Sequence, residues 1–111
     1  MTRHVNVFEA ALDPYDLEPS DVMDGAPLTA ELTVTSVGEA EVGIWQITPG
    51  VVTDTEADEL FVVVSGRATV VVEGGATLEI GPGDAAVLRE GDRTTWTVHE
   101  TLRKAYHITL P

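Results

Sequence analysis

The stretch from Glu59 to Val98, ELFVVVSGRATVVVEGGATLEIGPGDAAVLREGDRTTWTV, decides the fold. It is a series of short runs rich in Val, Leu, Ile and Thr, residues that suit a pleated, half-buried surface. Glycine turns separate the runs. Glu59–Ser65 and Arg67–Glu73 flank Gly66, and both are apolar on two faces, as strands covered on both sides are. Gly74-Gly75 signals a hairpin into Ala76–Ile80. Gly81-Pro82-Gly83-Asp84 turns into Ala85–Arg89, and Gly91-Asp92 turns into Thr94–Glu100.

The same rhythm continues outward in both directions. Arg103–Leu110 closes the chain after a short Thr101-Leu102 turn. Upstream, Glu31–Val37 alternates Leu32, Val34 and Val37 with threonines, Gly38 turns it, and Val42–Thr48 follows until Pro49-Gly50. Eight strands at roughly ten-residue spacing, with no helix-length periodic segment, predict an all-β sandwich or barrel. Residues 1–30 differ. Pro14, Pro19 and Pro27 interrupt any long element, and Asp13, Asp16, Glu18, Asp21 and Asp24 keep the segment polar. Asn6 to Leu12 reads as a short strand or helical turn, and Ser20 as the cap of one helical turn at Asp21–Met23. The expected organisation is an N-terminal arm, 1–30, wrapped over a barrel, 31–111, or over a partner subunit.

At 111 residues the chain is one domain with enough apolar residues, 43%, for a single core. It has no cysteine, which excludes disulfides, thiolate metal sites and cysteine nucleophiles. The formal charge of −13 repels nucleic acid and anionic membrane, so neither is expected as a partner. No apolar run approaches the ~20 residues of a membrane span, and the first residues lack a signal-peptide core. A cytoplasmic location is expected.

Two spacings inside the opening stretch carry a family resemblance. Six residues, Leu60 to Ser65, separate Glu59 from Gly66. From Gly83, five residues lead to Arg89, then Glu90, Gly91, two more residues and Thr94. These spacings resemble the two signature motifs of the cupin family. The first motif has two His one residue apart, a Glu three or four residues on, six residues and a Gly. The second has Gly, five residues, Pro, any residue, Gly, two residues, His, three residues and Asn. Across roughly Asp21 to Ile108 a wider set adds to it. It comprises Gly43-Ile44-Trp45, Thr48-Pro49-Gly50, Asp58-Glu59, Gly81-Pro82-Gly83-Asp84, Thr95-Trp96-Thr97-Val98 and Leu102-Arg103-Lys104 with Tyr106. This is similar to the small single-domain cupins related to ureidoglycine aminohydrolase and to the ethanolamine-utilisation cupin. The resemblance implies a double-stranded β-helix, or jelly-roll barrel, with a pocket inside.

The family's metal is held by three imidazoles and a carboxylate facing into the barrel, a donor set suited to Fe, Mn, Ni or Zn. Counting back from Glu59 puts the two His positions at Thr53 and Thr55, or at Val52 and Asp54. The third falls at Thr94, the Pro position at Arg89 and the Asn position at Val98. Only the carboxylate remains, and a glutamate with a threonine hydroxyl cannot hold a transition metal tightly. His4 lies in the arm, while His99 and His107 have the wrong strand parity for the pocket. Asp54, Asp58 and Glu59 would suit only a hard cation. No metal and no cofactor are expected, and the aminohydrolase reaction, which belongs to a cupin with metal ligands, is not carried over.

Strand alternation predicts the inward set. Glu59 goes with Phe61, Thr94 with Trp96, Trp45 with Ile47, and Lys104 with Tyr106. Trp45, Phe61, Thr94 and Trp96, with Arg89 near the rim, are the expected ligand-binding residues. Glu59, Lys104 and Tyr106 are the expected reactive groups. Glu59 sits where the family's inward carboxylate sits. A buried carboxylate needs a partner, and Lys104, the only lysine, is predicted to supply it. Two functions fit this pocket. One is a metal-free protein that binds a small polar metabolite, nitrogenous or carboxylate. The other is a metal-independent hydrolase, isomerase or lyase with Glu59 as general base and Lys104 stabilising developing negative charge. Leu32, Val34, Leu60 and Val62 face away from the pocket and predict a homodimer.

Overall fold

A computed structural model describes residues 2–110. Among the described residues, nine strands form one continuous hydrogen-bonded network: β1 (Asp13–Tyr15), β2 (Val22–Asp24), β3 (Thr29–Val37), β4 (Ala40–Ile47), β5 (Gly50–Thr55), β6 (Asp58–Val72), β7 (Thr77–Ile80), β8 (Ala85–Leu88) and β9 (Arg93–Thr109). The fold is nearly all β and curls into a barrel of the kind the resemblance implies. β6 and β9 pair antiparallel along their whole length, from Asp58↔Thr109 to Val72↔Thr94. Each therefore belongs to both layers. The first half of β6 and the second half of β9 make one layer with β8, β4, β3 and β1. The remaining halves make the facing layer with β7, β5 and β2.

The two long strands can bend together because of Gly66. Its φ is +86°, and a Cβ there would lie 2.0 Å from the Thr101 carbonyl oxygen on β9. Only glycine tolerates both the left-handed conformation and so close a backbone approach. The pairing register shifts three times between Val63 and Ala68, which re-aims the second half of β6 into the other layer.

Several sequence expectations need correction. The runs on either side of Gly66 are one fifteen-residue strand, and Thr94–Glu100 continues into Arg103–Leu110 as the seventeen-residue β9. Thr101-Leu102 is therefore no turn, and Leu102 is fully buried in the core. Pro49-Gly50 ends β4 but also starts β5, a strand the alternation did not reveal. The helical turn is a 3-10 turn at Pro19–Asp21, two residues earlier than expected and without a side-chain cap, and Val22–Asp24 is a strand. Asn6 opens a turn, its Oδ1 accepting from the amides of Phe8 and Glu9.

Between the layers lie Ile47, Phe61, Val63, Val70, Leu88 and Leu102, each buried essentially completely. Such burial contributes about 1.5–3 kcal/mol per side chain. Outside, Arg103 fastens the N-terminal residues to β9. Its Nη1 donates to the carbonyls of Val7, Phe8 and Ala10 at 3.1, 3.2 and 3.1 Å, and its Nε donates to Gln46 at 3.0 Å. Leu60, Val62 and Val87 remain exposed on the outer face of β6 and β8, while Leu32 and Val34 are half-buried.

Candidate functional site

Register places the site. Across the interior of the first layer, Glu31 on β3 pairs with Trp45 on β4, Trp45 with Lys104 on β9, and Lys104 with Val63 on β6. Two residues along, Gly43 pairs with Tyr106, and Tyr106 with Phe61. Alternation then points Trp45, Lys104, Tyr106 and Phe61 to one face. Gly43 makes room for the phenol. A Cβ there would lie 2.5 Å from the Tyr106 hydroxyl and 2.5 Å from the Leu32 carbonyl. The ring lies across β4, and its hydroxyl donates to Glu41 at 3.1 Å.

At the centre, Lys104 Nζ donates to Glu59 Oε2 at 2.6 Å, with both side chains 8% exposed. The ammonium lies 4.6 Å from the Phe61 ring centroid, 4.7 Å from that of Trp45 and 4.8 Å from that of Trp96. Trp96 meets Trp45 edge-on at 5.9 Å and Phe61 at 5.7 Å. Three π faces and a carboxylate thus replace the water this ammonium lost. It is the ion pair expected from the sequence.

A second buried carboxylate, Glu56, sits beside it. Thr94 Oγ1 donates to Glu56 Oε2 at 2.6 Å, and Trp96 Nε1 donates to the same oxygen at 3.2 Å. Burial raises the Glu56 pKa against the lowering effect of the Thr94 bond, and the Asp54 charge adds to the rise. Asp54 is raised as well, first by desolvation at the cavity wall and further by Asp21 and Glu59. Burial and the Glu41 charge push the Tyr106 phenol far above its ordinary value. At the outer end, Trp45 Nε1 donates to the Tyr15 hydroxyl at 2.6 Å.

Most of these groups, though not Glu56, line a cavity of about 250 Å³. Of the residues singled out in the sequence, Trp45, Glu59, Trp96, Lys104 and Tyr106 line it. Phe61 lies behind the ammonium, out of the lining. Two further expectations fail on position. Arg89 is exposed and reaches toward Asp58 at 4.0 Å, because it follows the last residue of β8 and turns into solvent. Thr94 does not line the cavity, since its hydroxyl is turned to Glu56. Sequence reasoning missed Tyr15, Glu31, Glu41, Asp54 and Glu56. Asp54 appeared only as an alternative ligand position and in a hard-cation set with Asp58 and Glu59, and Glu56 had no signal. Recognising β5 would have separated the two frames. Val52 and Asp54 pair with Trp96 and Thr94, and share their interior face.

The residues present do not fit the metal that the cupin motifs imply. Val52 offers no donor atom, Thr94 is bonded to Glu56, and Glu59 already holds an ammonium. Asp58 accepts from the Glu90 amide and so does not join Asp54 and Glu59. Among the described residues no group of three or more His, Cys, Asp or Glu is arranged to hold a metal ion. His99 bonds to Thr69, and His107 is exposed.

The family model for the EutQ-like cupin domain matches residues 34–106. Among solved structures, a DUF861-family protein of unknown function from Pseudomonas syringae superposes with a TM-score of 0.80 at 25% identity, over 90% of this chain and 45% of that one. The chain thus spans less than half the length of that protein. The EutQ protein of Clostridium difficile superposes at 0.68 with 14% identity, over 86% of this chain and 81% of that one, a likeness of fold alone. A DUF861-family protein from Thermotoga maritima is 27% identical at a TM-score of 0.55, over 59% of this chain and 75% of that one. No curated protein matches the chain.

Proposed function

The chain belongs to the EutQ-like cupin domain family, and from that premise we propose that it binds a small polar metabolite in the barrel without a transition metal. The observation that carries this reading is the Lys104–Glu59 pair, held at 2.6 Å at the wall of an open cavity. An apolar pair of similar volume at that position would be as stable or more so. Stability alone therefore gives little reason for two charges beneath three aromatic rings. A polar guest does give one, because an aromatic-walled cavity with a few placed polar groups is the usual form of a small-molecule site.

One observation favours a catalytic version. Asp54 lines the cavity, and desolvation raises its pKa, so it is closer than an ordinary aspartate to exchanging protons near neutrality. In that version Asp54, rather than the Lys104-bound Glu59, is the base.

Untagged protein purified from its own host tests the proposal by native mass spectrometry and elemental analysis. The expected result is a small organic adduct lost on mild denaturation, with far less than one transition metal per chain. Stoichiometric Fe, Mn, Ni or Zn would overturn the metal-free reading and make Glu59 a ligand.

A further inference from the structure

We infer that the cavity takes a small organic cation, an alkylammonium, seated against Trp45 among the carboxylates of Glu31, Glu41 and Asp54. This rests on reading the cavity as a ligand site and specifies the charge of its guest. Three independent features of the cavity point the same way.

The first is charge. Asp21, Glu31, Glu41, Asp54 and Glu59 all line the cavity, and the only amine among them, Lys104, is bonded to Glu59. Among the described residues no basic side chain lies within ion-pair distance of Asp21, Glu31, Glu41 or Asp54. Three of the arginines are engaged elsewhere. Arg89 and Arg93 pair with Asp58 and Glu73 at the surface, and Arg103 points outward to the N-terminal residues. An anionic guest would enter a space already crowded with unneutralised negative charge, where neighbouring acids help to raise the Tyr106 phenol. A cationic guest relieves that repulsion.

The second is the wall itself, which already solvates an alkylammonium. Lys104 Nζ lies between 4.6 and 4.8 Å from three ring centroids, with a carboxylate completing its shell. Trp45 is only half-buried, and its register neighbours on either side are Lys104 and Glu31. A second ammonium on its open side would meet the same pairing of indole and carboxylate.

The third is hydrogen-bonding capacity. Of the aromatic donors, Tyr106 is taken by Glu41, Trp45 by Tyr15, and Trp96 by Glu56 and Thr94, which leaves the Tyr15 O–H. What remains for a guest is mainly carboxylate oxygens and π faces, which match N–H donors and positive surface. The volume, about 250 Å³, is below the ~300–1,000 Å³ usual for drug-sized ligands, so the guest is small.

Titration calorimetry with four probes of similar size tests the inference: choline, butylammonium, butyrate, and 3,3-dimethylbutan-1-ol, the uncharged carbon isostere of choline. At least one cation should bind one per chain and at least tenfold more tightly than the alcohol, and butyrate should not bind. Glu31→Gln combined with Glu41→Gln should weaken the cation at least tenfold, whereas Glu100→Gln, an exposed acid on β9, should not. Equal binding of alcohol and cation, preference for butyrate, or indifference to the Glu31/Glu41 change would overturn the cation inference while leaving a ligand site. Failure of all four probes to bind would remove the ligand-site reading as well.

Discussion

Replacing Lys104 by Met removes the ammonium but nearly conserves side-chain volume, leaving the Glu59 carboxylate buried with no cation beside it. Breaking one side of a buried pair costs about 3–5 kcal/mol. Loss of the cation–π contacts adds up to about 2 kcal/mol, and sulfur–aromatic contacts return about 0.3–1.5 kcal/mol. The net expectation at neutral pH is a loss of about 3–5 kcal/mol. At about 4–8 °C per kcal/mol for a domain of this size, that is a melting point at least about 12 °C lower. Urea unfolding followed by the fluorescence of Trp45 and Trp96 reads the loss. The double variant with Glu59→Gln removes the stranded charge and should recover most of the loss. If the single and double variants are equally stable at pH 7, or the single loses less than about half a kcal/mol, the pair is solvated and the argument fails.

Glu56→Gln should stabilise the protein at pH 7 and flatten its acid response, since the amide oxygen can still accept from Thr94 and Trp96. The wild type, with Glu56 and Asp54 raised on folding, should gain stability as pH falls from neutral through their folded pKa values, and urea midpoints across pH will tell. Gly66→Ala should cost several kcal/mol or prevent folding, because its Cβ meets the Thr101 carbonyl; a soluble variant with an unchanged melting point would contradict the bend assignment. Arg103→Ala should release the N-terminal residues, seen as faster proteolysis near Val7–Ala10 with the β9 core still protected against hydrogen exchange. We propose a homodimer through the exposed Leu60, Val62 and Val87; light scattering should find a dimer that Leu60→Glu converts to a monomer, and a monomeric wild type would refute it.

The barrel was legible because its turns are chemical necessities. Gly66, Gly83 and Gly91 all have positive φ, and their spacing survives in the sequence whatever fills the strands. β5 was not legible, because its interior positions are Val52 and then Asp54, so it shows no run of alternating apolar residues. Glu59 and Lys104 could be paired from charge alone, the interior offering the acid one cation. Glu56 follows the end of β5 where no period applies, and only the tertiary partners Thr94 and Trp96 reveal that it is buried. Arg89 shows the converse limit. A motif position says where the backbone goes, whereas a long charged side chain there follows the nearest water.

The unbroken run of β9 also constrains how this protein can change over generations. Arg103 and Lys104 are neighbours on it, one gripping the N-terminal residues outside and the other meeting Glu59 inside. Because successive side chains face opposite ways, inserting or deleting one residue ahead of them would exchange their sides, and would turn Tyr106 outward with them. Length variation in β9 is thus closed to descendants that keep the barrel. Such a lineage can acquire a new guest only by exchanging side chains in place, which would preserve the backbone while the histidines, lysine and acids of the interior came and went.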